Sequence, residues 1–393
     1  MGDRPDLFDD EANHCPYAAY DNYRDGDALA REPRYNNWVL TRFSDMDLLR
    51  DHALVSAAFG VDPTGPFPDG TYKDIERTEP PRHSALKSYL FRYFAPAEIT
   101  KLREPVTSIF AEHFDGVVQA ARSGADFDVV EDVCYPGPAA VMCQIMGFSR
   151  DRRADFQRWS YSLVGRLGHH ITEEQRSDLK EMAHFIGEMA RCRRDQPGDD
   201  LLTYFTQADI EGSPLSDQEI VANGVFFLAA GHETTTNFLS NLTFILAQDA
   251  SLFARLRADR ALVTPALLEA LRIESPVQNI CRTMVDNHHL RGGDIAIDDR
   301  VMFSLGGANH DPEQFPDPGH FRLDRDNGQR HLAFGLGHHQ CLGARVALLE
   351  GEIYLNMLLD QFTEIELSRC PDRMPGNVMR GFKHLWIKGD VAS

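Results

Sequence analysis

The chain has no apolar run long enough to cross a bilayer, which takes about 20 consecutive apolar residues. It has no Cys-x-x-Cys pair, and its seven cysteines (15, 134, 143, 192, 281, 341 and 370) are odd in number and scattered. That spacing argues against a zinc ribbon or a disulfide framework and suits a reducing cytoplasm, where the protein is expected. Internal repeats and low-complexity tracts are missing as well, which excludes a solenoid or an array. Positive charge is in deficit: 40 Lys and Arg stand against 60 Asp and Glu, a formal net charge of −20 that argues against nucleic acid as a partner. The first residues, Met1-Gly2-Asp3-Arg4-Pro5-Asp6, are polar and acidic and read as neither a signal peptide nor a membrane anchor.

What is there is an ordinary globular composition, 42% hydrophobic and 25% charged, on a chain of 393 residues that can bury a large core. Strand patterning is confined to Trp38-Val39-Leu40, Ile295-Ala296-Ile297 and Val301-Met302-Phe303. Helical patterning dominates elsewhere. Ser44 reads as a helix N-cap, Pro80-Pro81 precedes a helix over about 83–94, and 193–200 reads as an exposed loop. The longest helix opens with a capping box, Ser216 with Glu219, and runs to about Gln248, a span of ~50 Å. The expectation is a single domain over 1–393, mainly α with a small β-rich lobe.

The segment Phe334-Gly335-Leu336-Gly337-His338-His339-Gln340-Cys341-Leu342-Gly343 carries the most chemistry. A lone cysteine is framed by glycines and an aromatic, and a helical apolar pattern follows from Ala344. Glycines let a backbone turn tightly and approach a flat partner closely. A sulfur at a helix start faces unpaired N–H groups and the positive end of the helix dipole, which favour the thiolate, the metal-ligating form. One negative sulfur held against something planar describes a haem with a cysteine axial ligand. A small buried hydrophobe is the alternative for an isolated cysteine. The order Phe-x-x-Gly-x-x-x-Cys-x-Gly resembles the haem-binding loop of the cytochrome P450 family, and the resemblance covers nearly the whole chain.

Three further elements stand in the family's order. The first is Ala229-Ala230-Gly231-His232-Glu233-Thr234-Thr235 in the long helix. Glu233 is the only carboxylate between Glu219 and Asp249, and Val225, Phe226, Phe227 and Leu228 beside it are apolar. A partly buried acid there is costly unless paired or protonated. Thr234 can bond the carbonyl of Ala230 and locally open the helix. These residues make either a groove with a proton path or a kink with a satisfied polar pair. The segment resembles the family's Ala/Gly-Gly-x-Asp/Glu-Thr motif, which implies that Thr234 and Glu233 manage proton delivery while Ala230 and Gly231 make room for oxygen.

The second element, Glu269-Ala270-Leu271-Arg272, resembles the family's Glu-x-x-Arg pair. The third, Phe315-Pro316-Asp317-Pro318-Gly319-His320-Phe321, puts His320 where the family more often has the Arg that completes a triad. Glu269, Arg272 and His320 are read as scaffold. The resemblance further implies a shell for haem b (iron protoporphyrin IX). His83, Lys87, Arg282, His331 and His339 would face its carboxylates, and Phe334, Gly335, Cys341 and Gly343 would form its loop. Lys87 stands where Arg is frequent, which keeps the charge and gives up bidentate pairing.

The implied activity is a soluble, bacterial-type monooxygenase that inserts one oxygen atom from O2 into a lipophilic small molecule. Phe226, Ala229, Val277, Val378 and Met379 would line the pocket, with the Pro- and Gly-rich stretch 59–77 beside it. No flavin or reductase segment is present, so electrons come from another protein. Arg92, Lys101, Arg103 and Arg345 would form a basic patch for an acidic ferredoxin. The same fold also serves oxidative coupling or ring formation. A haem sensor or electron carrier is the alternative from another class, but it needs no acid–alcohol pair.

Overall fold

In the computed structural model of the chain, the described residues are 5–9, 12, 14–26, 28–57, 74–165 and 172–392. Most of the expected Pro- and Gly-rich pocket wall, 58–73, lies outside them. In chain order come strands β1 (Ala30–Arg31), β2 (Trp38–Leu40) and β3 (Val55–Ser56), and then helices α1 (Arg82–Leu90), α2 (Arg103–Arg122), α3 (Pro136–Met146), α4 (Glu173–Asp195), α5 (Asp217–Ala247) and α6 (Val263–Ile273). Strands β4 (Asn279–Met284) and β5 (Arg300–Ser304) follow, and α7 (Ala344–Gln361) leaves the cysteine loop. The five strands form one sheet in the order β1-β2-β5-β4-β3. Its β2–β5 pair is parallel, with Val301 opposite Trp38, and its other pairs are antiparallel. Among the described residues no helix is long and apolar enough to cross a membrane.

Helix α5 is the spine. The Ser216 hydroxyl accepts the Glu219 amide hydrogen, and the Glu219 carboxylate accepts from the Ser216 amide at 2.9 Å, which closes the expected capping box. Its 31 residues span about 46 Å. Helix α7 crosses it so closely that a Cβ on Gly351 would lie 2.6 Å from the Phe238 ring.

Several boundaries differ from expectation, each for a local reason. Helix α1 stops at Leu90, and bonds from Arg92 to Tyr89 and from Tyr93 to Leu90 tighten the chain into turns before Pro96. Ser44 is the first residue of a 3₁₀ helix, Ser44–Arg50, and gives no side-chain cap. Arg193, Arg194 and Asp195 stay in α4, and the loop is only the few residues before Asp200 caps the next short helix. The strand near 295 is Gly293–Ile295. Beyond it the chain turns, because Asp298 takes a left-handed backbone (φ 68°) and the Asp299 carboxylate accepts the Ala296 amide, leaving Ile297 exposed.

The Glu-x-x-Arg pair on α6 is fully interior, its side chains 1% and 0% exposed. Arg272 donates to both Glu269 oxygens at 2.7 and 2.9 Å, and its Nη1 reaches the carbonyls of Asn309 and Pro318, each at 2.8 Å. His320 does not complete this group. It is exposed, and its backbone carbonyl alone takes part, 3.2 Å from Arg325 Nη2. Arg325 fills the place, with Nε 3.0 and 3.1 Å from the two Glu269 oxygens and Nη1 on the Pro316 carbonyl. The correction has a backbone cause. Asp317 turns through a left-handed conformation (φ 51°), which leaves the His320 ring outside and returns the chain to Glu269 five residues later. Burial works to raise the Glu269 pKa, but Arg272 and Arg325 outweigh it and hold the carboxyl below its ordinary range.

Removing one partner of a buried ion pair costs about 3–5 kcal/mol. Arg325→Met is therefore expected to lose that much in denaturant unfolding, while His320→Ala stays within about 0.5 kcal/mol of the parent. Equal losses from the two would return the role to His320.

Candidate active site

The loop that carries Cys341 is shaped by two left-handed glycines, Gly335 (φ 69°) and Gly337 (φ 74°). The Gly335 amide donates to the Leu332 carbonyl and the Cys341 amide to the Phe334 carbonyl, both at 2.8 Å. A Cβ on Gly337 would lie 2.1 Å from the Leu49 carbonyl oxygen, so glycine is what lets the loop rest on the Ser44–Arg50 helix. On another side Lys87 Nζ donates to the carbonyls of His338 and Gln340.

The sulfur lies just before α7, where Gly343 is the N-cap, and the Gly343 and Ala344 amides stabilise its ionised form. Burial is nevertheless the largest influence, and it pushes the thiol above its ordinary value against the pull of Lys87 and those amides. This corrects the expectation that the helix start by itself favours the thiolate. A metal cation at the sulfur would deprotonate it outright. Cys341 keeps an open side even so. That accessible side lets a ligand reach the sulfur.

Helix α5 carries the expected acid and alcohol. Between Ile220 and Thr243 the residues that are not buried are Phe226, Ala229, Ala230, Gly231, Glu233 and Thr234. Positions 226, 229, 230, 233 and 234 share one helical face. The Thr234 hydroxyl donates to the Ala230 carbonyl at 2.7 Å. Glu233 Oε1 is buried without a partner, and burial lifts its pKa to about 7. His232 is buried instead, neutral with a pKa of about 4, and its Nε2–H donates to the Tyr135 carbonyl at 3.0 Å. Gly231 also meets a packing constraint. A Cβ there would lie 2.3 Å from Met142 Sδ, so the missing side chain is first a condition of packing on α3.

A polar cluster stands beside the loop. The rings of His83 and His339 are 4.2 Å apart, and His83 Nδ1 and His339 Nε2 are buried without partners. Arg282, also buried, spends Nη1 on the Cys281 carbonyl. Burial, and then the nearness of Lys87, push His83 to about 4. Burial, and then His83, Arg282 and Lys87, push His339 to about 3. Two cations thus stand among imidazoles that stay neutral and unsatisfied, with Glu79 near His83 and both Glu76 and Glu79 near Arg282. The carboxylates of a haem would give the unspent ring nitrogens acceptors. His331 is not drawn into the cluster: its Nδ1 accepts the Ala333 amide hydrogen at 3.2 Å, its ring lies 5.5 Å from Phe334, and its electrostatic neighbours are Arg272 and Glu269.

Of the expected pocket residues, Val277 and Met379 form an isolated antiparallel bridge, and the Gln278 amide donates to the Val378 carbonyl at 2.8 Å. Val378 is 39% exposed. Phe226 and Ala229 belong to the open face of α5. The residues present therefore fit a haem: a sulfur with an open side, a small-residue helix face with an acid and an alcohol, and a cluster of cations and unpartnered ring nitrogens.

Comparison with known proteins agrees. Residues 140–386 match the family model described as Cytochrome P450. Cytochrome P450 107B1 of Saccharopolyspora erythraea is 31% identical to this chain, with 98% of each covered. The 6-deoxyerythronolide B hydroxylase of the same organism is 30% identical over 80% of this chain and 77% of that protein. The structure of cytochrome P450 CYP109Q5 from Chondromyces apiculatus has a TM-score of 0.89 at 29% identity and 99% coverage of both chains. Likeness along the full length, joined to a shared fold, settles the identity: the chain belongs to the cytochrome P450 family and is a cytochrome P450 monooxygenase.

Proposed function

We propose that the chain inserts one oxygen atom from O2 into a lipophilic small molecule at a haem b ligated by Cys341, with electrons from a separate ferredoxin-type protein. The observation that carries this is Glu233, a partnerless acid with a pKa of about 7, beside Thr234 on the one open face of α5. When bound, the haem supplies the binding and activation of O2. The protein's part is to seat it and to manage protons. His83, Lys87, Arg282 and His339 would take its carboxylates. Glu233 both holds and releases a proton near neutral pH, which is what a proton relay requires. The Thr234 hydroxyl, having given its hydrogen to Ala230, keeps lone pairs with which to accept one.

Phe226 and Ala229 offer apolar surface on α5, and Val277, Val378 and Met379 would offer more, which suits a lipophilic substrate. The relative named a 6-deoxyerythronolide B hydroxylase supports hydroxylation as the reaction. For the electron donor, the expected basic patch needs revision. Lys101 is tied to Glu98 at 2.6 Å and Arg103 to Glu352 at 3.0 Å. The patch is better described as Phe91, 48% exposed, with the Arg345 guanidinium 5.4 Å over its ring and Arg92 next to it. An apolar anchor framed by cations on an acidic protein suits an acidic ferredoxin.

Three results are expected. The reduced, carbon monoxide-treated protein shows a strongly red-shifted Soret band, and Cys341→Ser lacks it. An unshifted band in the parent would remove thiolate ligation from the proposal.

Glu233→Gln lowers product formation on the order of a hundredfold, the usual worth of general acid–base catalysis. It also changes how stability depends on pH. The folded pKa of Glu233 is raised, so between about 4.5 and 7 the unfolded chain releases its proton first and the parent loses stability as pH rises. By pH 8 the variant should be the more stable by roughly 3 kcal/mol, with little difference at pH 4. A parallel pH profile for the two proteins would contradict a buried neutral Glu233.

Arg345→Glu slows reduction by an acidic ferredoxin about tenfold at low salt, yet leaves chemical reduction by dithionite unchanged. No effect on either rate would dismiss the patch.

A further inference from the structure

His338, three residues before Cys341, meets His52 from the turn that follows the Ser44–Arg50 helix. Their Nδ1 and Nε2 atoms are 3.2 Å apart, with ring centroids separated by 4.8 Å and planes at 89°. His52 is exposed and His338 is partly open, so the pair is reached from solvent. The backbone is held on both sides. Gly337 rests against the Leu49 carbonyl, Lys87 holds the carbonyls of His338 and Gln340, and Asp51 accepts the Ala53 amide hydrogen at 2.9 Å beside His52.

Imidazole nitrogens bind Zn²⁺ at about 2.0–2.1 Å, and two such bonds spanning this separation close at about 100°, between the square-planar and tetrahedral angles. The two rings share a hydrogen bond at this separation, and an ion would take the place of its hydrogen. We infer that His52 and His338 form a surface chelating site for a borderline divalent transition-metal ion, of the Zn²⁺, Cu²⁺ or Ni²⁺ class. Water completes the coordination, and hard ions such as Mg²⁺, which prefer oxygen ligands, are not bound there. The two ligands belong to different parts of the fold: one to the loop of Cys341, the other to the connection entering β3. A bound ion ties the two together and places positive charge on the cysteine loop.

The test is calorimetric titration of the haem-loaded protein with ZnCl₂ at pH 7.5, for the parent, His52→Ala and His338→Gln. One equivalent of Zn²⁺ should bind the parent, and either variant should weaken that event on the order of a hundredfold, because the second imidazole acts as a tethered ligand. Excess Mg²⁺ should leave the parent's affinity unchanged. His338→Gln keeps the carbonyl that Lys87 holds, and His52 is an exposed side chain, so an unaltered Soret spectrum confirms that the loop is intact. Parent-like Zn²⁺ affinity in either variant would overturn the chelate.

Discussion

One buried carboxylate organises the scaffold of the site. Glu269 has no access to water and accepts from two guanidiniums and the Arg322 amide. A carboxylate in that position is tolerable only while every one of its oxygens' bonds is in place, because an unpaired interior charge is far more costly than the pair is favourable. The second donors of Arg272 and Arg325 therefore become obligatory too. They fall on the carbonyls of Asn309, Pro316 and Pro318, which draws the irregular chain between β5 and the cysteine loop against α6. The loop starts only a few residues later, at His331 and Leu332, where the Leu332 amide donates to the Asn309 side chain at 2.8 Å. Electrostatic necessity at Glu269 is thereby passed on as position at Cys341.

Glu269 and Glu233 show one residue type driven to opposite ends by its surroundings. Both lose water. Glu269 gains two cations and stays ionised; Glu233 gains none and is held near neutrality. The former suits architecture because it cannot change state at ordinary pH, and the latter can change state there. The histidines divide in a similar way. His232 spends its hydrogen on the Tyr135 carbonyl and anchors α5, whereas His83 and His339 hold unspent nitrogens beside the cysteine loop.

Local features were legible in the sequence. The Ser216–Glu219 box involves four consecutive residues, and the strand at Trp38 carries its own apolar pattern. The burial of Glu233 could be read because its apolar neighbours lie on its own helix. What escaped depends on distant parts of the chain. Gly231 reads as clearance when α5 is considered alone, but its neighbour in space is Met142 on α3. The thiol at Cys341 reads as a thiolate when only the amides of the next helix are counted, while burial sums over everything folded around it. His320 holds the position that spacing assigns to the third scaffold residue, yet a single left-handed residue at Asp317 hands the role to Arg325. Nothing in the sequence distinguished Arg325 from Arg322 before that turn was known.

The clamp also sets how the gene can change in length. Arg325 is bonded to α6 and Cys341 closes its loop on Phe334, so the sixteen positions that separate them (341 − 325) act as a ruler. A codon gained or lost there moves the sulfur relative to α6. The stretch between β4 and β5 has no such duty. Its hairpin, His288–Leu290 with Gly293–Ile295, projects exposed residues such as His289 and Asp294. It can lengthen outward without disturbing Glu269, because solvent accepts the extra backbone. Insertions and deletions among relatives should therefore collect in that hairpin and be rare along the ruler.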